Sequence, residues 1–280
     1  SLHDALPIYK LVPAVAVANA NYGQRMALND EFLLLSGRNA SSQRIVHVLE
    51  PVAGQWQQTS TITPAGGGDF ASHLSLYRRT LVVGAAGGTN PGGVASGAVY
   101  VYDRVGNAFA QTIKLNASDG AVNDAFGFSA SIWGSRLVVG AYHDDIGAQA
   151  DQGSAYVYEL GPAGWTEVIR LNAPDGLAGD EFGKDVRICG DRILVGAPRR
   201  DEGANLDQGA IYRFDRIGGV WTFGEKRTLA PPGRSNSYFG DHLGVDAQNL
   251  LVGAPFMDRA FAFAGGCAVD DILREGFETP

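Results

Sequence analysis

The chain repeats one pattern of residues five times, and this repetition limits the folds open to it more than any other feature. The clearest copy runs over residues 182–198, from Phe182-Gly183 through an alternating segment and a turn to an apolar run that ends in Gly196-Ala197-Pro198. Copies that recur every 48 to 57 residues indicate a repeat architecture, in which each copy forms one structural unit. An aromatic residue opens each copy, 11 positions before its apolar run, at Tyr22, Phe70, Phe126, Phe182 and Phe239.

Each unit predicts four short β-strands, A to D in chain order. Strand A alternates after the opening aromatic, as in residues 126–132, and a turn of the Gly190-Asp191 type follows it. Strand B is a continuous apolar run, as in residues 193–195, which indicates burial on both faces. Strands C and D are typified by residues 153–158 and 165–171. Four antiparallel strands in a repeat of this length are typical of a propeller blade.

We therefore predict an all-β fold, a β-propeller of four-stranded blades built from five repeats. The pattern starts with a segment like strand D, residues 9–12, and ends with a strand C, residues 260–263. A five-bladed ring would pair these segments and remove exposed sheet edges, whereas the alternative is an open arc of a longer propeller. We expect residues 1–8 to be a non-native leader, residues 9–264 the propeller, and residues 265–280 a C-terminal tail.

The Phe-Gly and Gly-Ala-Pro units resemble FG-GAP repeats, which are known from the propellers of integrin α subunits and from many bacterial secreted proteins. The closest segments are residues 171–183 (LNAPDGLAGDEFG) and 207–212 (DQGAIY), and the resemblance covers nearly the whole chain. The copy at Phe70 departs most because Ala71 replaces the glycine, so we expect an irregular blade there. The resemblance implies a secreted or cell-surface location, and the tail is similar to short tails of bacterial secreted proteins.

Charge and hydropathy argue against two classes of partner. The net charge of −8 disfavours nucleic-acid binding, which needs a basic surface. No run approaches 18 apolar residues, so we expect no transmembrane helix. The two cysteines, Cys189 and Cys267, form neither a metal-spaced cluster nor a disulfide framework, and they leave the redox compartment open. We expect a monomer whose partner is a protein or a glycan.

The sequence carries no recognised catalytic motif. It contains no G-x-S-x-G, H-E-x-x-H or Walker lysine pattern, so we expect no enzymatic activity and no catalytic residues. His47 occupies the strand-C place that Tyr100 holds in another copy, which predicts a packing role. His73 and His242 lie on different A strands, so they either share a site at the propeller axis or, more simply, pack within their strands.

Acidic residues recur before strand A and between strands B and C. In integrin-type repeats calcium is bound by an Asp-rich loop between strands A and B, but here turns such as Gly134-Ser135 offer too few oxygen ligands, so that site does not carry over. The acids are either turn residues whose carboxylates accept backbone N–H bonds or ligands of calcium, the only candidate cofactor. The candidate metal ligands are Asp144, Asp145, Asp151, Asp201 and Asp207.

Because consecutive strands of a blade run in opposite directions, the D-to-A and B-to-C loops are expected on the same face of the propeller. Because the acids concentrate in these loops, we expect a strongly acidic face, opposite one closer to neutral, and we take the acidic face as the functional one. Our leading hypothesis is a non-catalytic binding or structural module outside the cell or at its surface. The alternatives are the propeller portion of a secreted enzyme that acts on polysaccharides, and a lectin-like sugar binder, which would need exposed aromatics on loops.

Overall fold

The chain folds as a five-bladed β-propeller, as the repeats predict. A computed structural model describes residues 11, 20–64, 68–229, 234–245 and 249–264, and in this part of the chain every sheet is antiparallel. No helix among these residues has the length and apolar character needed to cross a membrane. The leader 1–8, the tail 265–280 and most of the segment 9–12, predicted to close the ring, lie outside the described residues.

The strands are numbered β1 to β19 in chain order, and each blade pairs consecutive strands. Blade 1 contains β1 (Met26–Leu28), β2 (Leu33–Arg38), β3 (Arg44–Val52) and β4 (Gln55–Ile62), and blade 2 contains β5 (Phe70–Tyr77), β6 (Thr80–Ala85), β7 (Ala98–Val105) and β8 (Ala108–Leu115). Blade 3 contains β9 (Ser129–Trp133), β10 (Arg136–Ala141), β11 (Ser154–Gly161) and β12 (Gly164–Leu171), and blade 4 contains β13 (Val186–Cys189), β14 (Arg192–Ala197), β15 (Ala210–Ile217) and β16 (Val220–Arg227). Blade 5 has three described strands, β17 (His242–Val245), β18 (Asn249–Ala254) and β19 (Arg259–Ala264), with a 3₁₀ turn, Pro255–Met257, before the last.

The hydrophobic core lies between consecutive blades. Val186 and Ile188 of β13 pack against Val138 and Val157 of the preceding blade, and all four side chains are buried. The central valines of strand B are completely inaccessible to solvent in blades 3, 4 and 5, as predicted, but in blade 5 the burial holds for one face of the strand only, because Leu251 is 51% exposed. These valines are Val139, Val195 and Val252. A strand that is buried on both faces needs apolar residues in succession, which explains why strand B does not alternate.

The opening phenylalanine of a repeat packs inside its own blade against the aromatics of strand C. The ring of Phe182 lies 5.3 Å from that of Tyr212 and 6.1 Å from that of Phe214, in edge-to-face geometry. The ring of Phe126 meets Tyr156 in the same way at 5.5 Å. Such edge-to-face contacts place the positive edge of one ring against the negative face of the other. In these blades they hold the first residue of the repeat against strand C.

The glycine after that phenylalanine joins two blades through backbone contacts. The Gly183 amide donates to the Gly196 carbonyl oxygen of the same blade at 3.0 Å, and the Phe182 amide donates to Gln152 of the preceding blade at 2.9 Å. Gly183 adopts a φ of +94°, which disfavours any other residue. A Cβ atom on Gly140 would lie 2.0 Å from the Gly183 carbonyl oxygen, so neither glycine of this contact has room for a side chain.

Because of the equivalent contact in blade 3, strand A of that blade begins later than the sequence predicts. The alternation of residues 126–132 predicts a strand from Phe126, but β9 begins at Ser129 because Phe126 and Gly127 make their hydrogen bonds to blade 2 and to β10 instead.

Blade 2 is less irregular than expected, since all four of its strands are present. Its deviation is a shift of register between Phe70 and His73, where Ala71 takes a φ of +59° in place of glycine.

Gly140→Ala tests the contact between blades. The added methyl group has no space against the Gly183 carbonyl oxygen, so we expect a loss of ~1–3 kcal/mol in the free energy of unfolding and a Tm lower by several degrees. Gly161→Ala is the matched control, because its added Cβ atom would meet no atom within 4 Å. Equal thermal melts for the two variants would contradict the proposed role of Gly140.

Candidate functional site

Two sets of loops form one face of the propeller, which we call the loop face. It comprises the described residues of the D-to-A loops that lead into blades 3, 4 and 5, which are 116–128, 172–185, 228–229 and 234–241, and the B-to-C loops of blades 2 to 5, which are residues 86–97, 142–153, 198–209 and 255–258. Each D-to-A loop is hydrogen-bonded to the B-to-C loop of the preceding blade, as in the bond from the Gly179 amide to the Ala150 carbonyl oxygen at 2.8 Å. The predicted grouping of these loops on one face is therefore confirmed.

Four of the five candidate metal ligands shape the B-to-C loops. The Asp145 carboxylate accepts the Asp151 amide at 2.9 Å in blade 3, and the Asp201 carboxylate accepts the Asp207 amide at 2.8 Å in blade 4. Asp151 and Asp207 both have positive φ, the conformation that aspartate tolerates in turns. These carboxylates act as turn formers at equivalent positions of two repeats.

The fifth candidate, Asp144, is buried and takes part in a hydrogen-bonded cluster. Its carboxylate accepts hydrogen bonds from the Ser154 hydroxyl and from the Tyr156 hydroxyl, the latter at 3.0 Å. Burial raises the pKa of Asp144, while these hydrogen bonds and the Arg170 guanidinium act in the opposite direction. The equivalent residue of blade 4 is Arg200, so this acid is not a constant feature of the repeat.

A tyrosine, an acid and a cation recur together in blades 3 and 4. The Tyr156 hydroxyl lies 2.8 Å from the Asp119 carboxylate, to which Arg170 also donates. In the next blade the Tyr212 hydroxyl lies 2.8 Å from Asp175, and Lys226 Nζ lies 2.7 Å from the same carboxylate. Burial alone would raise the pKa of Asp175, but the hydrogen bonds from Lys226 and Tyr212 outweigh it and hold the pKa below its usual value. Both arrangements fasten a D-to-A loop to strands C and D.

Two further acids, Asp124 and Asp180, close the D-to-A loops. The Asp124 carboxylate accepts the Ala121 amide at 2.6 Å, and the Asp180 carboxylate accepts the Leu177 amide at 2.8 Å. Burial raises the pKa of both carboxyl groups to about 6. Around Asp124 the neighbouring carboxylates act in the same direction. Their turn-forming role agrees with the simpler interpretation of the sequence.

Cations pair with several acids of the loop face, although acids remain in excess there. The expectation counted the acids of the loops but not the cations that pair with them. Glu181, for example, is bonded at 2.9 Å by both Lys184 and Arg199. The arginines and lysines that pair with loop-face acids are Arg170, Lys184, Arg187, Arg199, Arg200 and Lys226.

Aromatic side chains and cations alternate along the loop face from blade 3 to blade 5. Lys184 Nζ lies 3.7 Å from the centre of the Tyr142 ring, and the Arg199 guanidinium lies 5.9 Å from that of Tyr238. The Tyr238 ring packs at 4.7 Å on Phe256, which is 74% exposed. We call the side chains of this set the aromatic row; they are Phe128, Tyr142, Lys184, Glu181, Arg199, Tyr238 and Phe256. Sequence reasoning missed the row because its members come from different repeats.

The described histidines have separate environments. Among the described residues, no group of three or more His, Cys, Asp or Glu side chains is arranged to hold a metal ion. His47 is buried with its ring 5.0 Å from that of Tyr22, which agrees with a packing role. His73 is half-buried on β5, whereas the His242 side chain is 72% exposed. Calcium binding therefore stays a prediction.

Comparison with known proteins identifies the repeat. The family model described as FG-GAP repeat matches residues 56–102, 109–158 and 165–214, which together make up more than half of the chain. Each match begins in strand D and ends in strand C of the next blade. No curated protein matches the sequence.

Asp124→Asn tests the electrostatics of the D-to-A loop. Asparagine retains an oxygen acceptor for the Ala121 amide but does not ionise. Because the folded-state pKa of Asp124 is raised to about 6, its carboxyl group contributes stability below about pH 4 that is lost as the pH rises through about 6. We expect the Tm of the variant, relative to the unmodified protein, to increase between pH 4 and pH 7. Asp30→Asn, at an exposed position, should give a pH-independent offset, and the same offset for Asp124→Asn would contradict the assignment.

A calcium titration tests the candidate metal ligands. Because the carboxylates of Asp145 and Asp201 already hold backbone amides, we expect no saturable rise in Tm at millimolar calcium and fixed ionic strength. A saturable rise that is lost in Asp145→Asn and Asp201→Asn, and kept in Asp30→Asn, would show instead that these loops are calcium sites.

Proposed function

The chain belongs to the FG-GAP repeat family, and from this premise we propose that it is a non-catalytic binding module of a secreted or cell-surface protein, with the loop face as its binding surface. Loops carried by a rigid scaffold are the usual place for binding residues. Here the scaffold is the stack of blades, and the loops are fixed to it by the Asp, Tyr and cation networks of blades 3 and 4.

The aromatic row carries this proposal. Its residues occupy positions at which the repeats differ: the place of Tyr142 is taken by Pro198 in the next copy, and that of Tyr238 by Glu181. The fold therefore does not require these aromatics. Aromatic residues and arginine are enriched among the hot-spot residues, which contribute most of the binding energy of protein interfaces. Tyr238, Phe256 and Arg199 are placed to act as such a centre for a protein partner.

A lectin-like function is the second candidate, and one observation favours it. Such a function requires exposed aromatics on loops, and Tyr238 and Phe256 meet that requirement. Aromatic rings provide flat apolar surfaces for the C–H faces of sugars, while Arg199 and Glu181 supply polar groups next to them.

The disulfide of Cys189 supports a location outside the cytoplasm. Cys189 is disulfide-bonded, and the sequence contains one other cysteine, Cys267. Structural disulfides persist in oxidising compartments and are rare in the cytosol. FG-GAP repeats are also typical of extracellular proteins. Both observations favour a secreted or surface-exposed module.

The arrangement of the acids supports a non-catalytic role. Asp119, Asp175 and Asp144 are engaged by tyrosines and cations, Glu181 and Glu202 pair with cations, and four further loop acids hold backbone amides: Asp124, Asp145, Asp180 and Asp201. These structural roles explain why the acids lie where they do, and no catalytic role is needed to explain it. The alternative, a propeller attached to a polysaccharide-acting enzyme, would assign catalysis to another domain of the same protein and leave the loop face as its binding surface.

Binding screens with paired variants test the proposal. The protein is applied to a glycan array and to a cross-linking capture of surface proteins, and each ligand found is measured with Tyr238→Ala/Phe256→Ala. We expect at least a tenfold loss of affinity at unchanged Tm, since aromatic centres of an interface contribute on the order of 2 kcal/mol or more each. The matched control is Tyr77→Ala/Trp133→Ala, which removes an aromatic pair, with rings 5.3 Å apart, from the opposite face. Loss of binding in the control but not in the loop-face variant would contradict the proposal.

A further inference from the structure

A cavity of about 270 Å³ lies between the innermost strands of blades 1 to 4. One wall is apolar and comes from Met26 and Leu28 of β1, which are 64% and 62% exposed. The other walls are mixed: they carry the polar residues His73, Ser75, Ser131 and Arg187 beside Leu74, Leu76 and Ala130. The volume is at the lower end for ligand pockets and suits a molecule of about the size of a monosaccharide. No residue of the aromatic row lines this cavity.

Arg187 presents one edge of its guanidinium group without a partner. Its Nη1 donates to the Asp185 carboxylate at 2.6 Å and to the Val186 carbonyl oxygen at 2.8 Å. Its Nε and Nη2 atoms have no hydrogen-bond partner among the described residues. Neither atom is fully buried, so both can be reached by a ligand. Asp185 is itself fixed by the Leu243 amide at 2.8 Å, which holds the guanidinium in place. A fixed guanidinium edge with two N–H donors matches a carboxylate group.

Two serines of the cavity wall retain unused donors. The Ser75 hydroxyl oxygen accepts the Ile132 amide at 3.1 Å, and the Ser131 hydroxyl oxygen accepts the Ile188 amide at 3.1 Å. These bonds use the oxygen lone pairs and fix the oxygens between neighbouring strands. Within the described part of the chain neither hydroxyl hydrogen has an acceptor, so both are available to a ligand with oxygen atoms.

The charges around the cavity leave one positive charge in excess. Arg25, whose Nε donates to the Ser72 carbonyl oxygen at 2.8 Å, and Arg187 both act on His73, and Asp185 opposes them. Burial, together with these guanidinium groups, lowers the pKa of His73 to about 4. The imidazole is therefore neutral at pH 7, and because its N–H bonds to the backbone of Ala130, its other nitrogen is left as an acceptor for a ligand hydroxyl group. One excess positive charge balances a monoanion better than a dianion.

We propose that this axial cavity binds a small hydroxylated monocarboxylate such as a uronic acid. The carboxylate pairs with the free edge of Arg187, the hydroxyl groups bond to Ser75, Ser131 and His73, and the apolar side of the ligand lies on Met26 and Leu28. This site is distinct from the loop face, so a small ligand and a macromolecular partner bind independently.

The test compares three probes by calorimetry and thermal melting at fixed ionic strength and pH 7. D-glucuronate represents the proposed ligand, D-glucose lacks the carboxylate, and inorganic phosphate supplies charge without a sugar. We expect saturable binding of glucuronate, with a rise in Tm, and at least tenfold weaker binding of the other two. Equal affinity for phosphate would show a general anion site, and equal affinity for glucose a neutral sugar site; either result overturns the proposal, as does the absence of glucuronate binding.

Variants locate the site. Arg187→Gln should weaken glucuronate binding at least tenfold, and Arg187→Lys, which retains the charge beside Asp185, should also weaken it because the two-donor edge is lost. Arg79→Gln is the matched control, because it removes the same charge from an exposed residue paired with Glu31. Glucuronate should also raise the pKa of His73, followed by NMR, since the carboxylate offsets the charge of Arg187. Binding that is unchanged in both Arg187 variants overturns the proposal, whereas Tyr238→Ala/Phe256→Ala should leave glucuronate binding intact.

Discussion

The structure depends on the contact between the Phe-Gly segment of one blade and the Gly-Ala segment of the blade before it. At this point the backbones meet without side chains between them: a Cβ atom on Gly140 would lie 2.0 Å from the Gly183 carbonyl oxygen, and one on Gly196 would lie 2.0 Å from that of Gly240. The close approach brings the strand-B valines into the interface between blades, where they are completely buried. It also fixes the phenylalanine whose ring reaches strand C. The two ends of the repeated motif are therefore the two sides of one interface.

A second consequence concerns which residues remain free for function. Equivalent acids and tyrosines have the same structural role in successive repeats. The hydrogen bond between Tyr156 and Asp119 in blade 3, for example, corresponds to the one between Tyr212 and Asp175 in blade 4. Residues without an equivalent in the next repeat are not needed by the architecture. The aromatic row and the axial pair of His73 and Arg187 belong to this second group. These residues therefore carry the two ligand sites that we propose, one on the loop face and one near the axis.

The sequence predicts the features that each repeat determines locally. The apolar runs of strand B, the aromatics of strand C and the turn-forming acids appear where expected, because period, alternation and turn chemistry are local signals. The start of β9 is mispredicted because the hydrogen bonds of Phe126 and Gly127 reach other strands. The pairing of Glu181 with Arg199 was not predicted for a similar reason, since the two residues come from separate loops. Likewise, the cavity between His73 and Arg187 joins strands of blades 2 and 4, which no local pattern relates.

Amide hydrogen exchange in the native state tests the central role of the contact between blades most directly. The amides of Phe126, Phe182 and Phe239 each donate to a backbone carbonyl oxygen of the preceding blade, at 2.9 to 3.0 Å. If the contact holds the blades together, these amides exchange only when the whole propeller unfolds, with the same free energy as the amide of Val195 in strand B. Exchange with a much lower free energy, similar to that of the hairpin residue Gly190, would show that the contact opens independently and would contradict this account.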